Sequence, residues 1–328
     1  IGYNNFQLVP HDAGSTAQSG AQAAQAAIND GASLILGPVF ADSVRTAKAV
    51  AARHNVNIVA FSTDWTLADN RTFLMGFLPF GQVERVVEYA ASKGLGKMAT
   101  LTPSDAYGKA AMQAYQNAAQ RSGIQTVSQK TFTPGSASLD ADIKAFTQFD
   151  QRIVGQTPDG QPQISPPTFD SVFLPAGGDT ARSVSNLMNQ YGLPSSRVKR
   201  LGTGLWDDPV MAQYQELEGA WFAAPSPNLR RDFERRYREL HSSAPPRLAT
   251  LAYDATALAA VLAQSGLQTS GRPAFDSASI TNANGFAGID GIFRFRANGL
   301  VERGLAILEF RRGQMVVIDE APQSFQGL

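Results

Sequence analysis

The chain has 328 residues, no cysteine, and equal numbers of acidic and basic side chains, 28 of each. A hydrophobic share of 43% and a charged share of 17% are typical of a globular protein. With zero net charge, no electrostatic feature indicates a nucleic-acid partner. The absence of cysteine excludes disulfides, thiolate zinc sites and cysteine nucleophiles. At this length the chain is long enough to bury two hydrophobic cores.

The first 131 residues alternate short apolar runs with segments of helical pattern. Such alternation predicts a doubly wound parallel sheet, and hence the α/β class. The predicted strands are Phe6–Val9, Leu34–Leu36, Asn57–Phe61, Lys97–Leu101 and Thr126–Thr131. The predicted helices are Ser15–Asn29, with Ser15 as the N-cap, Asp42–His54, Gln82–Lys93 and Tyr107–Arg121.

The pattern breaks at Asp150–Thr168, where four prolines and little apolar periodicity predict a long exposed loop. The alternation then resumes and ends in three strands joined by tight turns. The predicted strands are Ser171–Leu174, Arg200–Gly202, Ala220–Ala223, Gly291–Arg296, Gly304–Phe310 and Gln314–Ile318. The predicted helices are Thr180–Tyr191, Pro209–Leu217, Leu229–His241 and Leu248–Gln264.

The familiar signatures of catalysis are missing from the sequence. Three histidines, His11, His54 and His241, form no metal-binding spacing. Gly202-Thr203-Gly204 follows a strand but lacks the third glycine of a dinucleotide-binding loop, and no phosphate-binding loop or nucleophile elbow is present. We therefore predict no catalytic residue, no metal site and no cofactor.

Polar residues do follow several predicted strands at their carboxyl ends, which is where open α/β sheets bind ligands. On this basis Ser62, Thr63, Asp64 and Tyr107 are predicted to contact a ligand, with Trp206 as an apolar wall. The alternative is that these residues are ordinary caps at the strand-to-helix junctions.

Five short motifs follow one another along the chain. They are Leu36-Gly37-Pro38-Val39-Phe40, 57–64, Asp105-Ala106-Tyr107-Gly108, Ala252-Tyr253-Asp254-Ala255 and 285–291. Read in order, these motifs resemble the type I periplasmic binding proteins, the leucine/isoleucine/valine-binding receptors. The resemblance implies a non-enzymatic protein of the periplasm or outer cell envelope, whose two lobes close on a small polar, amino-acid-like molecule. It also implies an ABC transporter permease as partner, for import.

The resemblance further implies three hinge crossovers between the lobes, and Pro225-Ser226-Pro227 interrupts the alternation where one would lie. We predict lobe one as residues 1–101 and 227–303, and lobe two as residues 105–223 and 306–328. The crossovers are predicted near 102–104, 224–226 and 304–305.

The sequence departs from the family pattern in two respects. The family's first strand and helix precede the point where this sequence enters, so we expect them, and a lipid anchor as a further option, upstream of Ile1. In addition, Ala41, Asp64 and Gly204 stand where amino-acid receptors carry other residues. Because Asp64 would repel a carboxylate, the departures favour a ligand with a cationic or hydroxyl-rich group.

A second likeness leaves an alternative function open. Leu201–Pro209, Gly219–Pro225 and Gly291–Arg296 are similar to receptor-fold lipoproteins that act as penicillin-binding-protein activators. That likeness implies a peptidoglycan synthase as partner, stimulated through protein contact. The proline-rich segment Asp150–Thr168 would then be an extended recognition segment.

Overall fold

The computed structural model describes residues 6–326 and divides into two compact units. Unit 1 contains residues 6–78, 225–304 and 321–326, and unit 2 contains residues 79–224 and 305–320. The chain therefore passes from one unit to the other after residues 78, 224, 304 and 320.

The first stretch of unit 1 is a parallel three-stranded sheet with one helix before it and one between its first two strands. Thr16, rather than the predicted Ser15, is the first N-cap, because its side chain and that of Ser19 bond each other's backbone N–H groups. The elements are α1 (Ala17–Asn29), β1 (Leu34–Leu36), α2 (Ala41–Arg53), β2 (Asn57–Ala60) and β3 (Thr72–Leu74). The sheet order is β1-β2-β3, with Leu34 opposite Asn57 and Ile58 opposite Thr72.

The predicted strand Phe6–Val9 does not form. Residues 6–14 have no regular secondary structure, and Leu8 and Val9 are exposed. A strand is stable only when a neighbouring strand satisfies its backbone groups, and none among the described residues pairs with this segment. Its apolar side chains therefore predicted the wrong state.

Unit 2 begins with the helix that follows β3. The elements are α3 (Pro79–Ser92), β4 (Lys97–Pro103), α4 (Ala106–Arg121), β5 (Gln125–Phe132), α5 (Leu139–Phe146), β6 (Ile153–Gln156), β7 (Pro162–Ile164), β8 (Ser171–Phe173), α6 (Gly178–Gln190), β9 (Lys199–Gly202) and β10 (Trp221–Ala224). The predicted helix Pro209–Leu217 is wrong. Two short 3₁₀ turns, Met211–Gln213 and Gln215–Leu217, stand there, because Tyr214 between them is extended.

The proline-rich segment is a β-hairpin on a packed base. Strands β6 and β7 pair antiparallel, with Ile153 opposite Ile164. At the base Arg152 is buried, and its guanidinium donates to the carbonyl oxygens of Thr147, Ser165 and Tyr191 at 2.8–3.0 Å. The prediction of an exposed loop is therefore wrong at the base, whereas residues 157–163 are almost entirely exposed.

The last part of the chain returns to unit 1 and then completes the sheet of unit 2. The elements are α7 (Pro227–His241), α8 (Ala249–Ser270), α9 (Ser277–Ile280), β11 (Phe286–Gly288), β12 (Gly291–Phe295), β13 (Val301–Arg303), β14 (Ala306–Arg311) and β15 (Gln314–Asp319). Strands β11-β12-β13 form an antiparallel sheet in unit 1, and a bridge joins Leu300 to Leu74. Within the described chain, no helix has both the length and the apolar character to cross a membrane.

The sheet of unit 2 has seven strands in the order β15-β14-β10-β9-β8-β4-β5. The five strands from β10 to β5 run parallel to one another. Strand β14 is antiparallel to β10, and β15 is antiparallel to β14. Because β4 lies between β8 and β5, residues 97–103 belong to this unit. Val83 and Val86 of α3 are buried in the same core.

Two of the predicted lobe limits are therefore wrong. Lobe one does not extend to residue 101, because α3 and β4 pack into unit 2 and the boundary falls after Leu78. Residues 321–326 belong to unit 1 rather than to lobe two. Phe325 holds them there, since its buried ring lies 4.4 Å from the Arg294 guanidinium of that unit.

Candidate functional site

Three neighbouring parallel strands of unit 2 end at the same edge of the sheet. Tyr107 follows β4, Gly177 follows β8 and Thr203 follows β9. Asp105 caps α4 by accepting a hydrogen bond of 2.7 Å from the Gly108 N–H, which places Tyr107 in the first helical turn. This edge is where a sheet of this type binds ligands.

Tyr107 and Thr203 form a hydroxyl pair at this edge. The Tyr107 Oη donates to the Thr203 Oγ1 at 2.8 Å, and Thr203 itself is fully buried. Burial raises the pKa of Tyr107 to about 12, against the opposing effect of the Thr203 hydrogen bond. The phenol is therefore neutral at physiological pH. Since its proton is directed at Thr203, its oxygen remains able to accept a hydrogen bond from a ligand.

Gln82 supports the same edge and was not among the predicted site residues. Its buried side-chain oxygen accepts a hydrogen bond of 2.8 Å from the Gly204 N–H. A Cβ on Gly204 would lie 2.9 Å from the Gln82 amide nitrogen, so the glycine allows this approach. A polar residue beside Val83 and Val86 on the buried side of α3 was the available sequence signal.

Trp206 does not offer the predicted apolar wall. Its ring is fully buried, packs against Phe222 and Phe310, and donates from Nε1 to the Ala176 carbonyl at 2.6 Å. A large aromatic ring stabilises most when it is completely enclosed. Through these contacts Trp206 supports the turn of residues 203–205. The exposed apolar residue of that turn is Leu205.

In unit 1 the structure places Ser62, Thr63 and Asp64 directly after β2. Ser62 is buried and its Oγ accepts a hydrogen bond of 3.1 Å from the Asp64 N–H, while Thr63 is exposed. Asp64 caps a short 3₁₀ turn through the Thr66 N–H and hydroxyl, and its other oxygen lies 3.4 Å from Arg45. Because Arg45 is exposed, its pairing offsets the charge of Asp64 only in part, and the acid remains able to bind a cationic group.

Four charged residues form a cluster near the end of β3 that the sequence analysis did not predict. Arg247 and Arg303 lie over the Phe77 ring at 4.2 and 5.3 Å, and Arg303 donates to the Met75 carbonyl at 2.8 Å. Arg247 also pairs with the buried Asp290 at 3.0 Å. The one acid within an Ala-rich helix, Asp254, was the available signal.

Asp254 bonds the backbone that leads into β12. Its carboxylate accepts a hydrogen bond of 2.7 Å from the Ile289 N–H, and the side chain is almost completely buried. Burial raises the pKa of Asp254 to about 6, although the Ile289 hydrogen bond and the charge of Arg303 act in the opposite direction. The cluster therefore holds a carboxyl group that titrates within two units of neutral pH.

The described residues include no cluster of side chains suited to a metal ion. Within residues 6–326, no group of three or more His, Asp or Glu side chains is placed to hold a metal ion. In the same part of the chain, the Ser62 hydroxyl accepts from the Asp64 backbone N–H, and the Ser104 hydroxyl bonds the Thr133 hydroxyl. His11 pairs with Asp30 at 3.1 Å.

Comparison with models of protein families shows to which family the chain belongs. The model of a family described as "Periplasmic binding protein" matches residues 2–314. The chain belongs to the periplasmic binding protein family. A comparison with curated protein sequences found no significant match.

Solved structures of periplasmic binding proteins share the fold at low sequence identity. A protein from Rhodospirillum rubrum, proposed to be a branched-chain amino acid ABC transporter, has a TM-score of 0.78 and 16% identity, covering 94% of this chain and 86% of its own. A Desulfitobacterium hafniense ABC transporter substrate-binding protein in complex with Leu has a TM-score of 0.66 and 18% identity, covering 95% and 88%. A Rhodopseudomonas palustris BisB5 solute-binding protein in complex with 3,4-dihydroxybenzoic acid has a TM-score of 0.64 and 17% identity, covering 96% and 85%.

These matches establish the two-lobed α/β fold of periplasmic binding proteins for this chain. Identities below 20% do not carry a ligand from one protein to another. The likeness to penicillin-binding-protein activators is not among these findings and stays a prediction.

Proposed function

We propose that this protein is a non-enzymatic solute-binding protein that captures a small polar, amino-acid-like molecule for import by an ABC transporter. The observation that carries the proposal is the Tyr107–Thr203 hydroxyl pair at the ligand-binding edge of a sheet in a periplasmic binding protein. Two contacts support the turn beside this pair. The Gln82 side chain accepts from the Gly204 N–H, and the Trp206 ring donates to the Ala176 carbonyl.

The proposed ligand contacts are Ser62, Thr63, Asp64 and Tyr107. Hydroxyl groups and backbone N–H groups at helix starts suit a carboxylate, and Asp64 suits an ammonium group. An amino acid carries both groups. Leucine, found in the Desulfitobacterium protein, and 3,4-dihydroxybenzoic acid, found in the Rhodopseudomonas protein, each carry a carboxylate on a hydrocarbon framework.

Membership of the family supports a location in the periplasm or outer cell envelope, and a permease as the protein partner. The hydrogen-bond partners of Ser62 and Ser104 support a binding role without catalysis, since neither serine is bonded to a base among the described residues.

Thermal-shift screening tests the proposal directly. The panel contains branched-chain amino acids, aromatic carboxylates, polyamines, sugars and muropeptides. A ligand at 100 times its dissociation constant adds about 2.7 kcal/mol to the free energy of unfolding, which gives a clear rise in melting temperature. We expect such a rise with an amino acid or a related small carboxylate.

Two results would contradict the proposal. One is a flat melting temperature across all ligand classes, together with recovery of a peptidoglycan synthase in a pull-down, which would favour the activator function. The other is a rise produced only by muropeptides.

A further inference from the structure

Within residues 6–326 the Gln82 side chain makes one hydrogen bond, and that bond fixes the orientation of its amide. The Oε1 atom accepts from the Gly204 N–H at 2.8 Å. A backbone N–H donates only to an acceptor, so the oxygen rather than the nitrogen of the amide must face Gly204. The Nε2 group is therefore directed elsewhere, and it carries two N–H donors of its own.

The Nε2 donors have no partner in the described part of the chain, although Gln82 is only 4% exposed. Nε2 is nevertheless absent from the set of fully enclosed side-chain atoms that lack a partner. The small accessible surface of Gln82 therefore includes Nε2. Because an amide donor that stays unpaired in a mostly buried position is unfavourable, this position suits a polar molecule that arrives from outside the chain.

Gln82 and Tyr107 are tied to neighbouring residues of one turn. The Gln82 Oε1 is bonded to Gly204, and the Tyr107 hydroxyl is bonded to Thr203 at 2.8 Å. Consecutive Cα atoms lie about 3.8 Å apart, so α3 and α4 bring an amide and a phenol to the same short stretch of the sheet edge. The donors of Nε2 therefore lie at the same ligand-binding edge as Tyr107.

The start of α6 adds backbone donors beside the same turn. Gly177 is the N-cap of α6 and provides no side-chain cap, so the first N–H groups of the helix keep their donors. Leu205 of the turn lies against this helix start, since a Cβ on Gly177 would lie 3.1 Å from the Leu205 Cβ. The acid of the first helical turn, Asp179, accepts from the Tyr214 hydroxyl at 3.3 Å. This edge of unit 2 is therefore rich in hydrogen-bond donors.

We propose that Gln82 contacts the solute and determines specificity, with Nε2 donating to a carboxylate oxygen of the ligand. The inference rests on the proposed solute-binding function and adds which group of the solute unit 2 recognises. A carboxylate has only acceptors, so it can take the donors of Nε2 and of the helix start. An ammonium group has only donors, and it would leave Nε2 unpaired.

Two substitutions separate a ligand contact from a role in supporting the turn. Gln82→Glu keeps the size of the side chain and the oxygen that accepts from Gly204, but it replaces the donor amide with a second acceptor. Gln82→Met keeps the length and removes both functions. If Nε2 contacts a carboxylate, Gln82→Glu should weaken binding more than Gln82→Met does, because like charges repel. If Gln82 only supports the turn, Gln82→Glu should match the wild type and Gln82→Met should bind worst.

The probes are the branched-chain amino acids and aromatic carboxylates of the thermal-shift panel, each paired with its primary carboxamide. Affinities are measured by isothermal titration calorimetry at pH 8. Gln82→Glu should weaken binding of the acid about tenfold or more, and binding of the carboxamide much less, since the carboxamide N–H can donate to the new oxygen. Gln116→Glu makes the same charge change at an exposed position of α4 and should bind the acid like the wild type. Melting curves verify that all three variants fold.

A measurement on the wild-type protein needs no variant to fold with native stability. The side-chain amide protons of Gln82 are followed by NMR during titration with the acid. We expect their resonances to move downfield as a charge-assisted hydrogen bond forms.

Three results would overturn this inference and leave the proposed function in place. They are wild-type affinity of Gln82→Glu for the acid, equal losses for the acid and its carboxamide, or Gln82 amide resonances that stay unchanged at saturation. Binding restricted to ligands without a carboxylate would have the same consequence. A wild-type protein that binds nothing in the panel would instead overturn the proposed function, and this inference with it.

Discussion

At the scale of single residues, Gly202 shows how closely the support of the candidate site is packed. It ends β9, one residue before Thr203, and a Cβ there would lie 2.3 Å from the Trp206 ring. The ring cannot move aside easily, because its Nε1 is bonded to the Ala176 carbonyl and Phe222 and Phe310 surround it.

Gly202→Ala should therefore lower the free energy of unfolding by about 1–3 kcal/mol, the usual effect of overpacking a core. Gly81→Ala is the matched control, since a Cβ at this helical position meets nothing within 4 Å. That control should be neutral or stabilising by up to about 1 kcal/mol. Urea denaturation measures both variants, and equal stability of the two would contradict the packing described for Trp206.

The carboxyl group of Asp254 makes stability depend on pH. Burial raises its pKa from 3.8 to about 6 in the folded protein, so between these values the folded state holds a proton that the unfolded state has released. The contribution of Asp254 to stability therefore falls as pH rises from about 4 to about 6. The raised pKa corresponds to about 3 kcal/mol that is present at pH 4 and lost above pH 6.

Asp254→Asn should flatten this part of the stability profile, because the amide does not ionise and its oxygen can still accept from the Ile289 N–H. Asp276→Asn, the same chemical change at an exposed helix cap whose pKa is lowered, should leave the slope in place. Urea denaturation at pH 4, 5, 6 and 7 separates the two variants. A wild-type slope in Asp254→Asn would assign the pH dependence to another group.

At the scale of elements, the β6–β7 hairpin combines a buried base with an exposed tip. Arg152→Ala leaves the carbonyls of Thr147, Ser165 and Tyr191 without their donor and should cost about 3 kcal/mol of stability. Replacing residues 157–161 with a Gly/Ser linker of equal length should change stability by no more than about 0.5 kcal/mol. Thermal melts of the two variants test this contrast, and a large loss from the tip replacement would show that the tip is packed.

Most strands and helices were predicted from local pattern, and the two failures have different physical causes. Strands β4 and β8 were recognised because a buried parallel strand carries a run of apolar residues, whereas the largely polar edge strand β5 was recognised from its place in the alternation. Phe6–Val9 is also apolar, but no strand among residues 6–326 pairs with it, and pairing is not visible in a sequence window. The helix predicted at Pro209–Leu217 failed because the extended Tyr214 interrupts it.

At the scale of the whole molecule, the first unit boundary was misplaced because the alternation of strands and helices continues across it, although Gly76 and Pro79 stand beside it. The alternation of strands and helices continues from β3 through α3 to β4, although the units change after Leu78. Strand β4 joins the sheet of unit 2 through pairing with β5 and with β8, and β8 is distant in sequence. Prolines and glycines also stand beside the changes after residues 224 and 304.

The positions of site residues could be predicted from the sequence where they depend only on the direction of the chain. Tyr107 and Ser62 could be placed at the carboxyl ends of strands, because that position follows from the order of elements. The contacts that define their surroundings could not be predicted. Packing between elements that are distant in sequence brings Gln82, Thr203 and Trp206 to the site.

Isothermal titration calorimetry with the ligand that gives the largest thermal shift is the most direct test of solute binding. The wild-type protein should bind one equivalent, and Tyr107→Phe should weaken binding about fivefold to tenfold, the effect of about 1 kcal/mol. Tyr115→Phe is the matched control, since it removes another tyrosine–threonine hydrogen bond of the same helix, to Thr126 at 3.0 Å. The account predicts wild-type affinity for that control. Undiminished binding by Tyr107→Phe, or equal losses in both variants, would contradict the assignment of Tyr107 to the binding site.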